Sequence, residues 1–401
     1  MNEQIRTQSY QPKSFKKVDW SLFKDDAEIA EYLKSLPRYQ NNSTKSGWYR
    51  ARFFLSLLWA RMFDKITPLF VVLVTNNQCN LNCEYCYGGY GERKAYTDYT
   101  LAQLLGMIDE LKRLGTTLLT MHGGESLMYP HIGEVLNYTK LKGFYIGFNT
   151  NGYMVPRMID QIKVVDTLCL SLDGREEHND KLRGKGCYNK VMKAMDACHE
   201  AGIPLVVSAT LTKDTKDDME FLAELAVEKN FRLQYSILYN YESESIGEVE
   251  MTDDEIRETT QKILDLKHQG FPIYYSDNVL ETTIEWPQAF DKRFFTKNDI
   301  AKGNVPEDAK LIPCYHGKLK YQIDADGRVV VCWAHNNKNA PNVLELGVEG
   351  ALKACHDKDF CEHCSFLANN EHNALMDLSA KNVWQILKIH VSDMFKVGHE
   401  E

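Results

Sequence analysis

Residues 68–86 read PLFVVLVTNNQCNLNCEYC, and they combine a predicted strand with a closely spaced set of cysteines. Its first half is a continuous apolar run of the kind found in buried parallel strands. Its second half places Cys79, Cys83 and Cys86 in a C-x3-C-x2-C spacing. Three thiolates from one loop can hold three irons of a cubane iron–sulfur cluster and leave the fourth iron without a protein ligand. An open metal position separates a reactive site from a purely structural one, as zinc sites illustrate.

Beyond this stretch, apolar runs alternate with helical periodicity as far as about residue 270. The predicted strands lie near 69–75, 117–121, 143–148, 166–172, 203–211 and 231–237. The predicted helices span 100–113, 130–141, 155–162, 187–201, 216–228 and 253–268. Six β–α repeats predict an α/β fold with a parallel sheet and crossover helices. Such folds bind ligands at the carboxyl ends of their strands, which is where the cysteine loop falls.

The flanking segments predict additional parts. Residues 1–65 are expected to form a helical extension, with helices at 26–33 and 48–63. Residues 271–310 are polar and predict a linker with one helix. Residues 311–401 predict a separate small domain with a β-hairpin over 318–332 and a final amphipathic helix near 383–395.

Composition limits the class of protein. The chain has 401 residues, a net charge of −9 and eleven cysteines in short spacings. A negative charge argues against a nucleic-acid partner, because phosphate binding needs a concentrated basic surface. We expect no signal peptide and no membrane span, since the first forty residues are polar and no apolar run is long enough. Closely spaced thiols favour metal ligation in a reducing cytoplasm over a disulfide scaffold.

Four further motifs follow the cysteine loop in order, each closing an apolar run or lying just after one. They are LLTMHGGE at 118–125, FNTNG at 148–152, LSLDG at 170–174 and HNDKLRG at 178–184. Together with the loop they resemble the radical S-adenosylmethionine (radical SAM) superfamily over roughly residues 66–240. The resemblance implies a partial (β/α)6 TIM-like barrel and an enzyme. It also implies reductive cleavage of S-adenosylmethionine to a 5′-deoxyadenosyl radical, which abstracts hydrogen from the substrate.

The same resemblance assigns roles to individual residues. Cys79, Cys83 and Cys86 would hold a [4Fe–4S] cluster, and S-adenosylmethionine would bind its open iron. Eight residues are expected to contact that cofactor. Tyr85 would lie beside the adenine, and Gly123 and Gly124 would allow close approach to the backbone. Glu125 would receive the methionine ammonium and Arg183 the methionine carboxylate, while the ribose or methionine would be contacted by Asn149, Ser171 and Asp173. Each of the last three could be a capping residue instead, and the role of His122 is open. A flavodoxin or ferredoxin would supply the electron.

A second cysteine set lies in the C-terminal segment. Cys314 and Cys332 flank the predicted hairpin, and Cys361 and Cys364 form a C-x2-C pair. The pattern resembles the twitch domain, the shortened form of the SPASM domain that follows many radical SAM cores. It implies one auxiliary [4Fe–4S] cluster with four protein ligands that relays electrons. A four-cysteine zinc site is the alternative, and a structural zinc protein is the corresponding non-enzyme interpretation. Cys355 is expected in a helix, unligated.

The substrate is not encoded in these motifs. The basic, aromatic helix at 48–63 favours either packing on the barrel or contact with a membrane surface. A lipid, a peptide and a sugar-like molecule all remain candidate substrates. Cys169, Cys187 and Cys198 lie in apolar or helical runs and are interpreted as thiols without function.

Overall fold

The computed structural model describes residues 18–40, 46–63, 67–86, 98–238, 250–332, 339–356 and 361–378. Six parallel strands form its centre: β1 Phe70–Val74, β2 Leu118–His122, β3 Tyr145–Thr150, β4 Thr167–Ser171, β5 Leu205–Leu211 and β6 Arg232–Ile237. Strands that follow one another in the chain are neighbours in the sheet, in the order β6-β5-β4-β3-β2-β1. All six predicted strands are present, and the parallel α/β fold is confirmed.

Helices precede the sheet and connect its strands. They are α1 Asp26–Ser35, α2 Ser46–Phe63, α3 Leu101–Arg113, α4 Ile132–Leu141, α5 Val155–Ile162, α6 Glu176–Arg183, α7 Cys187–Glu200, α8 Met219–Glu228 and α9 Asp253–His268. Every predicted helix of this part is confirmed. Helix α6 was not predicted, because the motif around Arg183 resembled a loop; its acidic first turn and basic last turn suit the helix dipole.

Local sequence explains where the longer helices begin and what they bury. A capping box between Thr100 and Gln103 starts α3, and another between Thr252 and Glu255 starts α9. Helix α3 then buries one stripe against the sheet, with Leu104, Leu105, Ile108 and Leu111 inaccessible to solvent.

The two faces of the sheet differ in chemistry. Apolar side chains such as Leu119, Phe148 and Leu170 are fully buried in the core shared with the helices. The alternate positions are half-buried or exposed and mostly polar: Thr120, Asn149, Ser171, Ser208, Thr210, Gln234 and Ser236. Because strand side chains alternate between faces, this polar set lies on the open side of the sheet.

The C-terminal half joins this sheet. Its elements are α10 Asp277–Ile284, β7 Phe294–Thr296, α11 Lys297–Ala301, β8 Lys320–Ile323, β9 Val329–Val330, α12 Val343–His356, β10 Cys361–Cys364 and α13 Leu367–Met376. The predicted hairpin is confirmed, since β8 pairs antiparallel with β9. Strand β8 also pairs parallel with β1, placing Lys320 opposite Phe70. The result is one eight-stranded sheet.

The segment predicted as a linker, 271–310, contains more structure than expected. It holds α10, β7 and α11, and β7 pairs antiparallel with β10. The pairing partner lies far along the chain, so the sequence around β7 gave no sign of it. The helix predicted near 383–395 lies outside the described residues. The boundaries drawn at 65, 270 and 310 stay predictions.

The two predicted N-terminal helices are present and pack on the barrel. Helix α1 contacts α3 and α4, and the buried Trp20 just before it donates its indole N–H to Asp109, 3.1 Å away. Helix α2 buries Phe53 and Leu57 in a cluster with Phe70 and Met376, while Met62 on its other side is 76% exposed. Among the helices described here, none combines the length and apolarity needed to cross a bilayer.

Candidate functional site

The first cysteine set occupies the loop that follows β1, at the carboxyl edge of the sheet. Cys79, Cys83 and Cys86 are all partly accessible. The backbone N–H of Leu81 donates to the Cys79 sulfur at 3.4 Å. Burial raises the pKa of Cys79 and raises that of Cys83 to about 11. Since metal ligands must be thiolates, metal binding at this loop would release protons.

Two glycines at the end of β2 let the cysteine loop pack closely against the sheet. A Cβ at Gly123 would lie 2.3 Å from the side-chain oxygen of Asn76, and one at Gly124 would lie 2.2 Å from the carbonyl oxygen of Gln78. The N–H groups of Gly124 and Glu125 donate to the carbonyls of Asn76 and Gln78. The pair thus permits a close backbone approach, but to the chain entering the cysteine loop. Contact of these glycines with a cofactor stays a prediction.

Glu125 is buried directly behind the glycines. Its carboxylate accepts hydrogen bonds from the Thr150 hydroxyl at 2.8 Å and from the N–H groups of Asn151 at 2.8 Å and Leu127 at 3.0 Å. Burial raises its pKa, and these three donors oppose that rise. The carboxylate is therefore fixed in place by the ends of β2 and β3, where it can receive a cationic group.

Arg183 and Asp173 form a buried ion pair. The arginine Nε and Nη2 contact the two carboxylate oxygens at 2.7 and 2.8 Å. Asp173 also accepts from the Tyr85 hydroxyl and from the backbone N–H of Thr210. Asp173 occupies the Nε–Nη2 edge of the guanidinium, and contact of Arg183 with the methionine carboxylate stays a prediction. The pair ties β4, β5 and the cysteine loop together.

The remaining predicted contacts lie along the same edge. Asn149 is exposed near the end of β3, and Ser171 is half-buried at the end of β4. His122 closes β2, where burial lowers its pKa to about 4 and so keeps the imidazole neutral. The structure therefore brings the cysteine loop, Tyr85, Asp173 and Arg183 into direct contact, and it places Asn149 and Ser171 on the open side without joining them to that group.

The second cysteine set gathers four thiols from three separate parts of the chain. Cys314 precedes β8, Cys332 follows β9, and Cys361 and Cys364 belong to β10. The sulfurs of Cys314 and Cys361 share a hydrogen bond, which lowers the pKa of Cys314 and raises that of Cys361. The charges of all four thiols act on one another. Cys355 lies on α12 and faces the Val329 carbonyl at 3.8 Å.

These thiols do not converge on one point. Within the described ranges, no three Cys, His, Asp or Glu side chains are placed to share one metal ion. The four irons of a cubane cluster are spread apart, so its ligands need not meet at a single atom. Both cysteine sets thus have the donor chemistry of an iron–sulfur site, since soft thiolates select such clusters or zinc.

The second cysteine set has polar neighbours that were not predicted from the sequence. Helix α13 carries the run Asn-Asn-Glu-His-Asn at 369–373 directly after Cys364. Asn369 donates its amide to the Cys332 sulfur at 3.3 Å, and the sulfur of Cys364 contacts the side-chain oxygen of Asn370 at 3.6 Å. Lys320 on β8 is also buried here. Five consecutive polar residues close to a cysteine pair could have indicated a polar environment around the thiols. A single lysine in a hairpin could not.

Comparison with known proteins relates one part of the chain to a family. Residues 73–226 match the family model of the radical SAM superfamily. The Fe-coproporphyrin III synthase of Methanosarcina barkeri (strain Fusaro / DSM 804) is 27% identical over 220 residues, covering 52% of this chain and 55% of that protein. The sporulation killing factor maturation protein SkfB of Bacillus subtilis (strain 168) is 24% identical over 212 residues, covering 51% of this chain and 50% of that protein.

Solved structures agree on the fold. Streptococcus suis SuiB bound to precursor peptide SuiA superposes with a TM-score of 0.56 at 17% identity, covering 84% of this chain and 77% of that chain. Against the curated relatives, the chain spans only about half of their length. The ordered motifs, the fold and the family match agree. Residues 73–226 are thus similar to the radical SAM superfamily, whose members use a [4Fe–4S] cluster and S-adenosylmethionine.

Proposed function

We propose that the chain is an enzyme that cleaves S-adenosylmethionine reductively and abstracts hydrogen from a peptide substrate, with an auxiliary cluster as electron acceptor. The observation that carries this proposal is the position of the three-cysteine loop at the carboxyl edge of the sheet, beside the buried Glu125. When bound, the cofactor pair supplies homolysis of a carbon–sulfur bond and a radical able to attack an unactivated C–H bond.

The residues present fit the first cluster and its ligand. Three accessible thiols come from one loop, which leaves one iron open. Gly123 and Gly124 hold the loop against β2, and Glu125 receives the methionine ammonium. Asn149 and Ser171 offer hydrogen bonds to the ribose or the methionine carboxylate from the open side of the sheet. Arg183 and Asp173 orient the phenol of Tyr85, which lies beside the adenine.

The second cysteine set fits an auxiliary cluster. Cys314, Cys332, Cys361 and Cys364 supply four ligands, so no iron is left open for substrate. Three of the four are buried, which suits electron transfer better than ligand exchange. Bound there, the cluster would accept one electron from the substrate radical that hydrogen abstraction leaves, and the substrate would release one proton to solvent, which completes a two-electron oxidation.

A peptide substrate is supported by the chemistry of the open side of the sheet. Thr120, Ser208, Thr210, Gln234 and Ser236 present hydroxyl and amide groups, which match the donors and acceptors of a peptide backbone. A large apolar ligand would bury these groups unpaired, at a cost of about 1–3 kcal/mol each. The SuiB structure, which holds a precursor peptide, points the same way.

The radical chemistry is tested with Cys83→Ala. After anaerobic reconstitution, we expect this variant to retain the iron of one cluster and to form no 5′-deoxyadenosine when reduced with S-adenosylmethionine. The matched control is Cys198→Ala, which removes a buried thiol of α7 that belongs to neither cysteine set and should retain both iron and activity. Formation of 5′-deoxyadenosine by Cys83→Ala would overturn the assignment. Two zincs without sulfide in the wild type would favour a structural zinc protein.

The substrate class is tested by isotope transfer. Short peptides encoded beside the gene, prepared with carbon-bound deuterium, should pass deuterium into 5′-deoxyadenosine. A deuterated iron porphyrin with propionate side chains is the competing probe, because one relative, from Methanosarcina barkeri, is an AdoMet-dependent heme synthase by name. Transfer from the porphyrin and none from the peptides would refute the peptide assignment while leaving the radical chemistry intact.

Action on lipids at a membrane surface is the second candidate, and the exposed side of α2 favours it. Leu55, Met62 and Phe63 are all more than half exposed there. If α2 binds a bilayer, Met62→Glu should abolish flotation of the protein with vesicles of phosphatidylcholine and phosphatidylglycerol. Val227→Glu, at an exposed apolar position on α8, is the control. Absence of flotation in the wild type would reject this candidate.

A further inference from the structure

The side of α13 that faces the second cysteine set is polar where a core helix is normally apolar. Asn369, Asn370 and Asn373 are all buried. Asn369 donates to the Cys332 sulfur, while Asn373 accepts from the backbone N–H of Tyr315 at 2.9 Å. Buried amides are normally paired. Here the partners are the Cys332 sulfur and the backbone of Tyr315, which follows Cys314, while the Nδ2 group of Asn373 is buried without a hydrogen-bond partner in the described part of the chain. The run therefore forms a layer around the four thiols.

Lys320 is the charged member of this layer. It is 6% exposed, its Nζ lies 2.9 Å from the Nδ1 of His372, and it stands 4.9 Å from the centre of the Phe70 ring. Of the ion pairs in the described part of the chain, none involves Lys320. A buried ammonium costs several kcal/mol unless a negative group compensates it.

The four thiols are the available negative group. The backbone N–H of Lys320 donates to the carbonyl oxygen of Tyr315, the residue after Cys314, at 3.2 Å. Its Nζ contacts His372 on α13, the helix whose Asn369 donates to the Cys332 sulfur. A cubane cluster held by four thiolates carries net negative charge, and gaining an electron makes it more negative. A nearby cation and a hydrogen bond to a ligand sulfur both stabilise the more negative state, and the potential of such clusters depends on both.

We propose that Lys320 and Asn369 are positioning residues that raise the reduction potential of the auxiliary cluster. They thereby favour acceptance of the electron that the substrate radical loses. This inference rests on the proposed function, because it requires a cluster at the second cysteine set. A purely structural role for the two residues would affect folding and cluster loading, but it would leave the potential of the loaded cluster unchanged.

The experiment isolates the second cluster in the full-length chain. The parent is the triple variant Cys79→Ala, Cys83→Ala and Cys86→Ala, reconstituted anaerobically and titrated with dithionite while the reduced cluster is followed by electron paramagnetic resonance. In this parent, Lys320→Met should lower the midpoint potential by at least a tenfold change in the redox equilibrium, which is about 59 mV for one electron. Lys320→Arg keeps the charge and should restore most of the potential.

Lys310→Met is the matched control. Lys310 lies in the segment just before Cys314, but its side chain is 60% exposed and lies 3.1 Å from Glu285. Solvent screens its charge, so the potential should move far less. Asn369→Leu removes only the hydrogen bond and should lower the potential by a smaller amount than Lys320→Met.

The outcomes distinguish failure of the auxiliary-cluster assignment from failure of the tuning role. A parent that binds no iron or sulfide refutes the auxiliary cluster itself and with it this part of the proposed function. If the parent contains the cluster, and neither Lys320→Met nor Asn369→Leu changes its midpoint potential, only the tuning role is refuted. If Lys320→Met loads no cluster, the Asn369→Leu result decides, because that substitution leaves the buried charge in place.

Discussion

The two cysteine sets are built in opposite ways. The first takes three thiols from eight consecutive residues in a loop at the sheet edge, and all three are partly accessible. The second takes four thiols from three distant segments, anchored on a hairpin and a strand, and three of them are buried. One arrangement leaves room for a ligand, and the other is enclosed by protein. The contrast supports the proposal that the first set holds the reactive cluster and the second set a cluster that carries electrons.

Removing one thiol of the second set should have the largest effect and should affect that set alone. In Cys364→Ala the four-thiol site is incomplete, so we expect the iron and sulfide content of reconstituted protein to fall by about half. Reductive cleavage of S-adenosylmethionine should persist, because the loop after β1 is untouched, but modified substrate should no longer form. Iron analysis and 5′-deoxyadenosine assays measure the two effects. Loss of cleavage together with the iron would mean that the sites are not independent.

A single methyl group should disturb only the first set. In Gly124→Ala the new Cβ would lie 2.2 Å from the Gln78 carbonyl oxygen, so the segment leading into Cys79 must move. We expect a several-fold loss of iron at the first set and normal iron at the second. Gly106→Ala on α3 is the control: no atom lies within 4 Å of its Cβ, so it should retain full iron and gain about 0.5–1 kcal/mol of stability. A normal iron content at the first set in Gly124→Ala would show that the glycine is not needed for the cysteine loop to pack against the sheet.

The buried ion pair behind the first loop should matter for stability. Arg183→Met leaves Asp173 buried without its cation, and breaking such a pair costs about 3–5 kcal/mol. Chemical denaturation of the apo-protein measures this loss. Lys163→Met removes the exposed pair with Asp160 and should change stability by less than about 1 kcal/mol. Equal effects of the two substitutions would show that the Arg183 pair contributes nothing beyond a surface contact.

The smallest effect concerns pH. His122 has its pKa lowered to about 4 by burial, whereas an unfolded histidine titrates near 6.5. The unfolded state therefore binds more protons between these values, so this residue makes stability fall as pH drops from about 6.5 to 4. We expect the fall to be about 2–3 kcal/mol. His122→Gln should flatten that part of the stability curve measured on apo-protein, and an unchanged curve would assign the acid sensitivity to other groups.

The sequence was sufficient for the elements whose signals are local. The period of the apolar residues located six strands and six helices, and the Asp-Ala-Asp-Gly turn at 324–327 located the hairpin. The cysteine spacings located both thiol sets. In these cases the residues that specify the element are neighbours in the chain.

Contacts made at long range were not predictable in the same way. Pairing of β8 with β1, and of β7 with β10, depends on which edges meet in space, and neither strand carries a mark of its partner. The bond between Arg183 and Asp173 was also missed, because each residue was assigned to a ligand instead of to the other. Lys320 shows the same limit: its burial follows only from where β8 docks.

The pairing of β8 with β1 has a consequence for how the chain folds. The register joins Phe70 to Lys320, so β1 gains its second neighbour only after most of the protein has been synthesised. Such non-local pairing slows folding. Until it forms, β1 is an open edge with unpaired backbone groups, the kind of surface on which chains aggregate. A chain truncated before residue 311 would keep that edge permanently, so the C-terminal segment also covers the β1 edge of the sheet.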